Sequence, residues 1–163
     1  MRGGALSTHG RALAALALAS AVGLAGCSSG PTSKACSLLD QAAIKDATGV
    51  AVQKGAIDAD LTNDTQETCA WRPQSGDFPI IQVYLSPGGD QVATQRSDAS
   101  SGYGVPAVDV TIAGAHDAYA AGNGSLIGMV VGDYFVQVAY ITPGTSDALD
   151  KTTALATKAA AAL

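Results

Sequence analysis

Leu126-Ile127-Gly128-Met129-Val130-Val131-Gly132-Asp133-Tyr134-Phe135-Val136-Gln137-Val138-Ala139-Tyr140-Ile141 is the stretch that decides the fold. Its first six residues form an apolar strand, and Gly132-Asp133 suits a two-residue hairpin turn. The chain then runs back from Tyr134 to Ile141. The two-residue period of a strand puts Tyr134, Val136, Val138 and Tyr140 on one face and Phe135, Gln137, Ala139 and Ile141 on the other. Upstream, Ala118 to Ala121 reads as a short strand, and Asn123-Gly124 has the composition of another tight turn. The result is a three-stranded antiparallel meander. Before it, Val108, Val110 and Ile112 alternate with Asp109 and Thr111 as a further strand. After it, Pro143-Gly144 is a stop, and a helix is expected to start at Thr145 or Ser146. Asp147 and Asp150 fall in its first turn and Lys158 late, as the helix dipole favours. Leu149, Thr152 or Thr153, Ala156, Ala159 or Ala160, and Leu163 would form its packing stripe.

The N-terminal half is less regular. Ser37 can cap a first helix, with Asp40 as its capping-box partner. Leu39, Ala43 and Ala47 recur at helical spacing, and Gly49 can end the helix in a left-handed conformation. A short strand is expected near Val52 to Ala56. Asp58, Asp60, Asn63 and Asp64 read as a solvated loop, since they lack calcium-loop spacing. Thr68 to Arg72 is a strand with Cys69 and Trp71 on one face. Ile80 to Leu85 is another, with Ile81, Val83 and Leu85 inward. Asp90 to Ser97 can be a short helix, and Ser100 to Pro106 a Gly-rich loop. The fold class is therefore α+β: a single antiparallel sheet with helices packed on one face. A pure sandwich is the alternative, against which the helical C-terminus counts.

Arg2 and Arg11 precede an apolar run from Ala12 to Ala25, with no acidic residue before Cys27. That is the basic and apolar layout of a secretory signal, and the run is shorter than the roughly 20 residues of a membrane span. Leu24-Ala25-Gly26-Cys27 resembles the lipobox of bacterial lipoproteins. By that resemblance Cys27 is linked to diacylglycerol and becomes the new N-terminus after cleavage. Two acyl chains suffice for stable attachment. The expected organisation is a signal peptide over residues 1–26, a flexible tether over 27–35, and one domain over 36–163. Removal of the leader takes Arg2 and Arg11 from the nine basic residues and leaves all 14 acidic ones, a net charge of about −7. Such a body is a poor partner for nucleic acid or for anionic headgroups. The expected place is the extracytoplasmic side of the cell membrane, lipid-anchored.

Cys36 and Cys69 are the two cysteines that remain, and that compartment permits disulfides. A Cys36–Cys69 bridge would fasten the first helix to a strand. Two cysteines and a distant histidine lack metal-ligand spacing, so neither metal nor cofactor is expected. His116-Asp117 is the one acid–base pair in the body of the chain. Adjacent strand residues point to opposite faces, so a dyad there would need a turn. No Gly-x-Ser-x-Gly elbow is present, and Gly102-Tyr103-Gly104 is not followed by the Lys-Ser/Thr of a phosphate loop. Tyr84 lies opposite Val83 and would line the more exposed sheet face. Tyr84, Tyr134 and Tyr140 are the candidates for a ligand face, on a sheet that is apolar on both sides.

Cys36-Ser37-Leu38-Leu39, Gly49, Cys69-Ala70-Trp71 and Gly114-Ala115-His116-Asp117-Ala118, with a terminal Ala-rich helix, together resemble small actinobacterial lipoproteins of the DUF3558 type. His116 stands where that pattern has Gly. The resemblance spans Cys36 to the C-terminus and carries over no activity and no catalytic residues. The anchor, the acidic body, the missing active-site signature and the second apolar sheet face point to an extracytoplasmic module that binds an envelope ligand or a partner protein without catalysis. A purely structural or protein-interaction lipoprotein and a hydrolase with an unrecognised site are the alternatives.

Overall fold

The computed structural model describes residues 33–144 and 147–163. The leader, Cys27, most of the tether and the expected helix start at Thr145 or Ser146 lie outside the described residues. The elements are α1 (Lys34–Ser37), α2 (Gln41–Thr48), β1 (Ala56–Ile57), β2 (Glu67–Trp71), β3 (Ile80–Pro87), α3 (Val92–Tyr103), β4 (Val108–Asp109), β5 (His116–Ala121), β6 (Leu126–Val131), β7 (Tyr134–Ile141) and α4 (Ala148–Ala161). All strands join one antiparallel sheet in the order β1-β2-β3-β7-β6-β5-β4. The α+β expectation holds, with a single sheet.

The meander sets the register. Val131 pairs with Tyr134 across Gly132-Asp133, so the turn has two residues as expected. β3 pairs with β7 along its whole length, from Ile80–Ile141 to Pro87–Tyr134. Ile81, Val83, Leu85, Val136, Val138 and Tyr140 therefore share a face. With Cys69, Trp71, Ile127 and Met129 they form the main core, covered by Leu38, Leu39 and Ile44 and by Leu155, Ala156 and Ala159 of α4. The small residues of α4 let it lie close to the sheet. Its stripe is Ala148, Thr152, Leu155, Ala156, Ala159 and Ala160, while Leu149 and Leu163 are exposed.

The opposite face has a smaller apolar cluster of Tyr119, Ala121 and Phe135, over which Val92 and Ala99 of α3 pack. Thus α1, α2 and α4 lie on the expected face, and α3 crosses the other face over β5 and β6. Asp40, not Ser37, caps α2: its carboxylate accepts from the Ala43 N–H at 2.6 Å. Gly49 ends that helix at φ 76°, as expected. Ser33 caps the separate turn α1, and Ala35 is fully buried. Ser33 and Ala35, which the sequence reading places in the tether, are thus held against the domain. The Asn123-Gly124 turn is longer than two residues, because Ala121 pairs with Leu126 across a short 3-10 turn. Val108 to Ile112 keeps only two residues in the sheet, although Ile112 still reaches the core.

The Cys36–Cys69 disulfide is present and ties α1 to the middle of β2. Beside it the Glu67 carboxylate accepts from the Ser33 hydroxyl at 2.8 Å and the Ala35 N–H at 3.0 Å. These bonds, led by the Ala35 N–H, hold the Glu67 carboxyl below the ordinary glutamate value.

Candidate functional site

The register places two rows of side chains on the sheet face opposite the main core. One row is Thr68, Tyr84, Gln137 and Gly128; the next is Ala70, Gln82, Ala139 and Leu126. α3 covers the β5–β6 side of this face. On the other side the loop from Asp58 to Gln66 folds over β2, with the Thr68 hydroxyl donating to the Leu61 carbonyl at 3.2 Å. Between them lies a half-open groove of about 200 Å³ lined by Leu61, Gln66, Thr68, Gln82, Tyr84, Leu126, Gln137 and Ala139.

Its side chains are held from several directions. The Tyr84 hydroxyl donates to Gln66 Oε1 at 2.8 Å, and Gln66 Nε2 donates to the Leu61 carbonyl at 2.9 Å. The Tyr84 ring meets the buried Phe135 edge-on, centroids 6.1 Å apart. Gln137 Nε2 donates to the Tyr119 hydroxyl at 3.0 Å. Tyr119 lies across Gly128, where a Cβ would collide with its ring. Burial pushes the Tyr119 phenol up, and the Gln137 hydrogen bond only partly opposes that. Gln137 Oε1 and the whole Gln82 carboxamide have no protein partner among the described residues. No lining side chain is charged.

The three candidate tyrosines do not share a face. Tyr84 lines the groove. Tyr140 is buried in the main core, with Lys151 Nζ 5.4 Å from its ring centroid. Tyr134 is on that same covered face under Lys34, whose Nζ lies 3.7 Å above its ring. Of the three, only Tyr84 lines this groove; the half-buried Tyr134 lines a separate depression of about 270 Å³ with Lys34, Gln66 and Glu67, and Tyr140 lines neither. Gln82 and Gln137 join Tyr84, although an outward glutamine on a strand reads as solvent-facing in sequence. Their signal was register: each stands across the β3–β7 ladder from the apolar or aromatic floor.

A larger depression of about 310 Å³ lies at the β1 edge, where Lys54 and Arg72 mix with Asp58 and Asp60. Its lining mixes these charges of both signs with Ala56, Ile57, Ala59 and Ala70 and carries no aromatic side chain. His116 and Asp117 do meet, Nδ1 to Oδ2 at 2.7 Å, because Asp117 adopts φ 51° at an irregularity in the β5 register. Both side chains are 65% exposed, and neither lines a described cavity. Among the described residues no group of three His, Cys, Asp or Glu side chains is placed to hold a metal ion. Among them, too, no helix is long and apolar enough to cross a membrane.

No family model, no curated protein and no solved structure matches this chain.

Proposed function

We propose that the chain is a lipoprotein held on the extracytoplasmic face of the cell membrane through Cys27, and that its folded domain binds an envelope ligand without catalysis. The groove left between α3 and the Leu61 loop, on the sheet face opposite the main core, carries this reading. It combines an apolar floor with convergent, uncharged hydrogen-bonding groups, which is the composition of a recognition site. The basic start, the apolar run and Leu24-Ala25-Gly26-Cys27 support the anchor. Kinship with the DUF3558-type lipoproteins is part of the proposal and rests on the motifs from Cys36 to Ala118.

The test uses the full-length protein extracted from its own membrane in a zwitterionic detergent. Bound small molecules are released and identified by mass spectrometry, beside an Ala139→Leu variant that fills the groove. The expected result is a compound retained by the parent and lost by the variant. Equal retention would remove the groove from the reading. Capture of a protein by both forms, with no small molecule, would favour a structural or interaction role. Turnover of an envelope component, abolished by His116→Ala, would favour the hydrolase.

A further inference from the structure

We infer that the groove under Tyr84 takes one ring of a neutral sugar, gripped by Gln82 and Gln137; this rests on the binding reading above and names the ligand class.

The lining decides against other classes in turn. An ionic headgroup or an anionic ligand would be desolvated here without a counter-charge, because Leu61, Gln66, Thr68, Gln82, Tyr84, Leu126, Gln137 and Ala139 include no ionisable partner at neutral pH. An acyl chain would satisfy Leu61, Leu126 and Ala139 but cover the free Gln82 carboxamide and Gln137 Oε1, leaving polar groups unpaired. An extended peptide bound by strand addition needs a free sheet edge. The groove lies mid-sheet, where β3 and β7 already pair with each other and with β2 and β6. A peptide there would find no free backbone ladder.

A pyranose or furanose ring meets each condition. Its C–H face is apolar and can lie on the Tyr84 ring, which Phe135 and Gln66 hold in place. Its hydroxyls each donate and accept. The Gln82 carboxamide offers both a donor and an acceptor, and Gln137 Oε1 a further acceptor. The cavity of about 200 Å³ is smaller than the roughly 300–1,000 Å³ that encloses drug-sized ligands. It suits a single ring, and its open side lets neighbouring units of a longer glycan extend outward.

Saturation-transfer NMR on the full-length protein in zwitterionic detergent tests this. The probes are glucose, galactose, mannose, N-acetylglucosamine and lactose, with trialanine and octanoate as controls. The expectation is transfer to at least one sugar and to neither control. A Gln82→Leu/Gln137→Leu variant should weaken sugar binding about tenfold or more. An intact disulfide and cooperative unfolding certify the fold of that variant, whose midpoint should fall only by what the lost Gln137–Tyr119 hydrogen bond accounts for. Sugar binding that survives both substitutions would overturn the site. Transfer to trialanine or octanoate alone, removed by Ala139→Leu, would overturn the sugar and leave the binding reading standing. No transfer from any probe, with no compound retained from the envelope either, would overturn both.

Discussion

Tyr119 lies flat across Gly128, so that a side chain on one strand occupies the space where its neighbour has none. The ring reaches over β6 to β7, where its hydroxyl accepts from Gln137 at 3.0 Å. A Cβ on Gly128 would collide with the ring. Gly128→Ala should therefore cost about 1–3 kcal/mol by overpacking. Tyr119→Phe should cost about 1 kcal/mol through the lost hydrogen bond. Gly128→Ala combined with Tyr119→Ala should be clearly less destabilising than the sum of the singles. Additive denaturation energies would contradict the contact.

Cys36 and Cys69 enclose a loop with a sequence separation of 33. The chain-entropy account gives such a bridge roughly 3–4 kcal/mol. Cys36→Ser/Cys69→Ser should lower the unfolding free energy by about that amount while leaving the sheet signal in circular dichroism unchanged at low temperature. Two alkylatable thiols in native, unreduced protein would refute the bridge.

Glu67 gives a pH dependence of definite sign. Its folded-state pKa lies below the ordinary value, chiefly through the Ala35 N–H. Its contribution is thus complete above the unfolded glutamate pKa of about 4.3 and lost as pH falls through the folded value. The thermal midpoint of the parent should fall on acidification across that range. Glu67→Gln should be less stable at pH 7, and the difference between the two proteins should shrink in acid. Parallel pH curves would show that the carboxylate is not coupled to folding.

Cys27 is tested directly. The intact mass of membrane-extracted protein should correspond to a chain starting at Cys27 plus diacylglycerol. Cys27→Ala should move the protein from the membrane pellet to the soluble fraction or leave it unprocessed. An unmodified chain that keeps residues 1–26 would end the lipoprotein proposal.

Legibility in the sequence followed the strength of each local signal. β6 and β7 were readable to their end residues, because strict alternation and Gly132-Asp133 constrain the same hairpin. α3 was read as too short, since Val92 to Tyr103 has no fully buried residue and no apolar stripe. It packs through partly buried Val92 and Ala99, which leave little pattern. The cap of α2 was misplaced by three residues because Ser37 and Asp40 are both good caps, and only the bend after α1 separates them. Within the groove, Tyr84 was legible from its position opposite Val83. Tyr140 is buried in the core and Tyr134 borders a different depression, a distinction the sequence does not carry because a tyrosine serves equally in a core and at a surface. Gln82 and Gln137 become visible only when β3 and β7 are set side by side.

The fastening of α1 has a mechanical consequence. A pull on the chain ahead of Ser33 can unwind only the three residues before Cys36. The tension then passes through the disulfide to Cys69, the middle of β2, and bypasses α2 and the loop that walls the groove. By then the Glu67 clasp on Ser33 and Ala35 has already broken, and the load falls on the five registered pairs of β2 with β3. A domain tugged from its N-terminus would thus bear the load in its sheet, and the groove wall would stay slack.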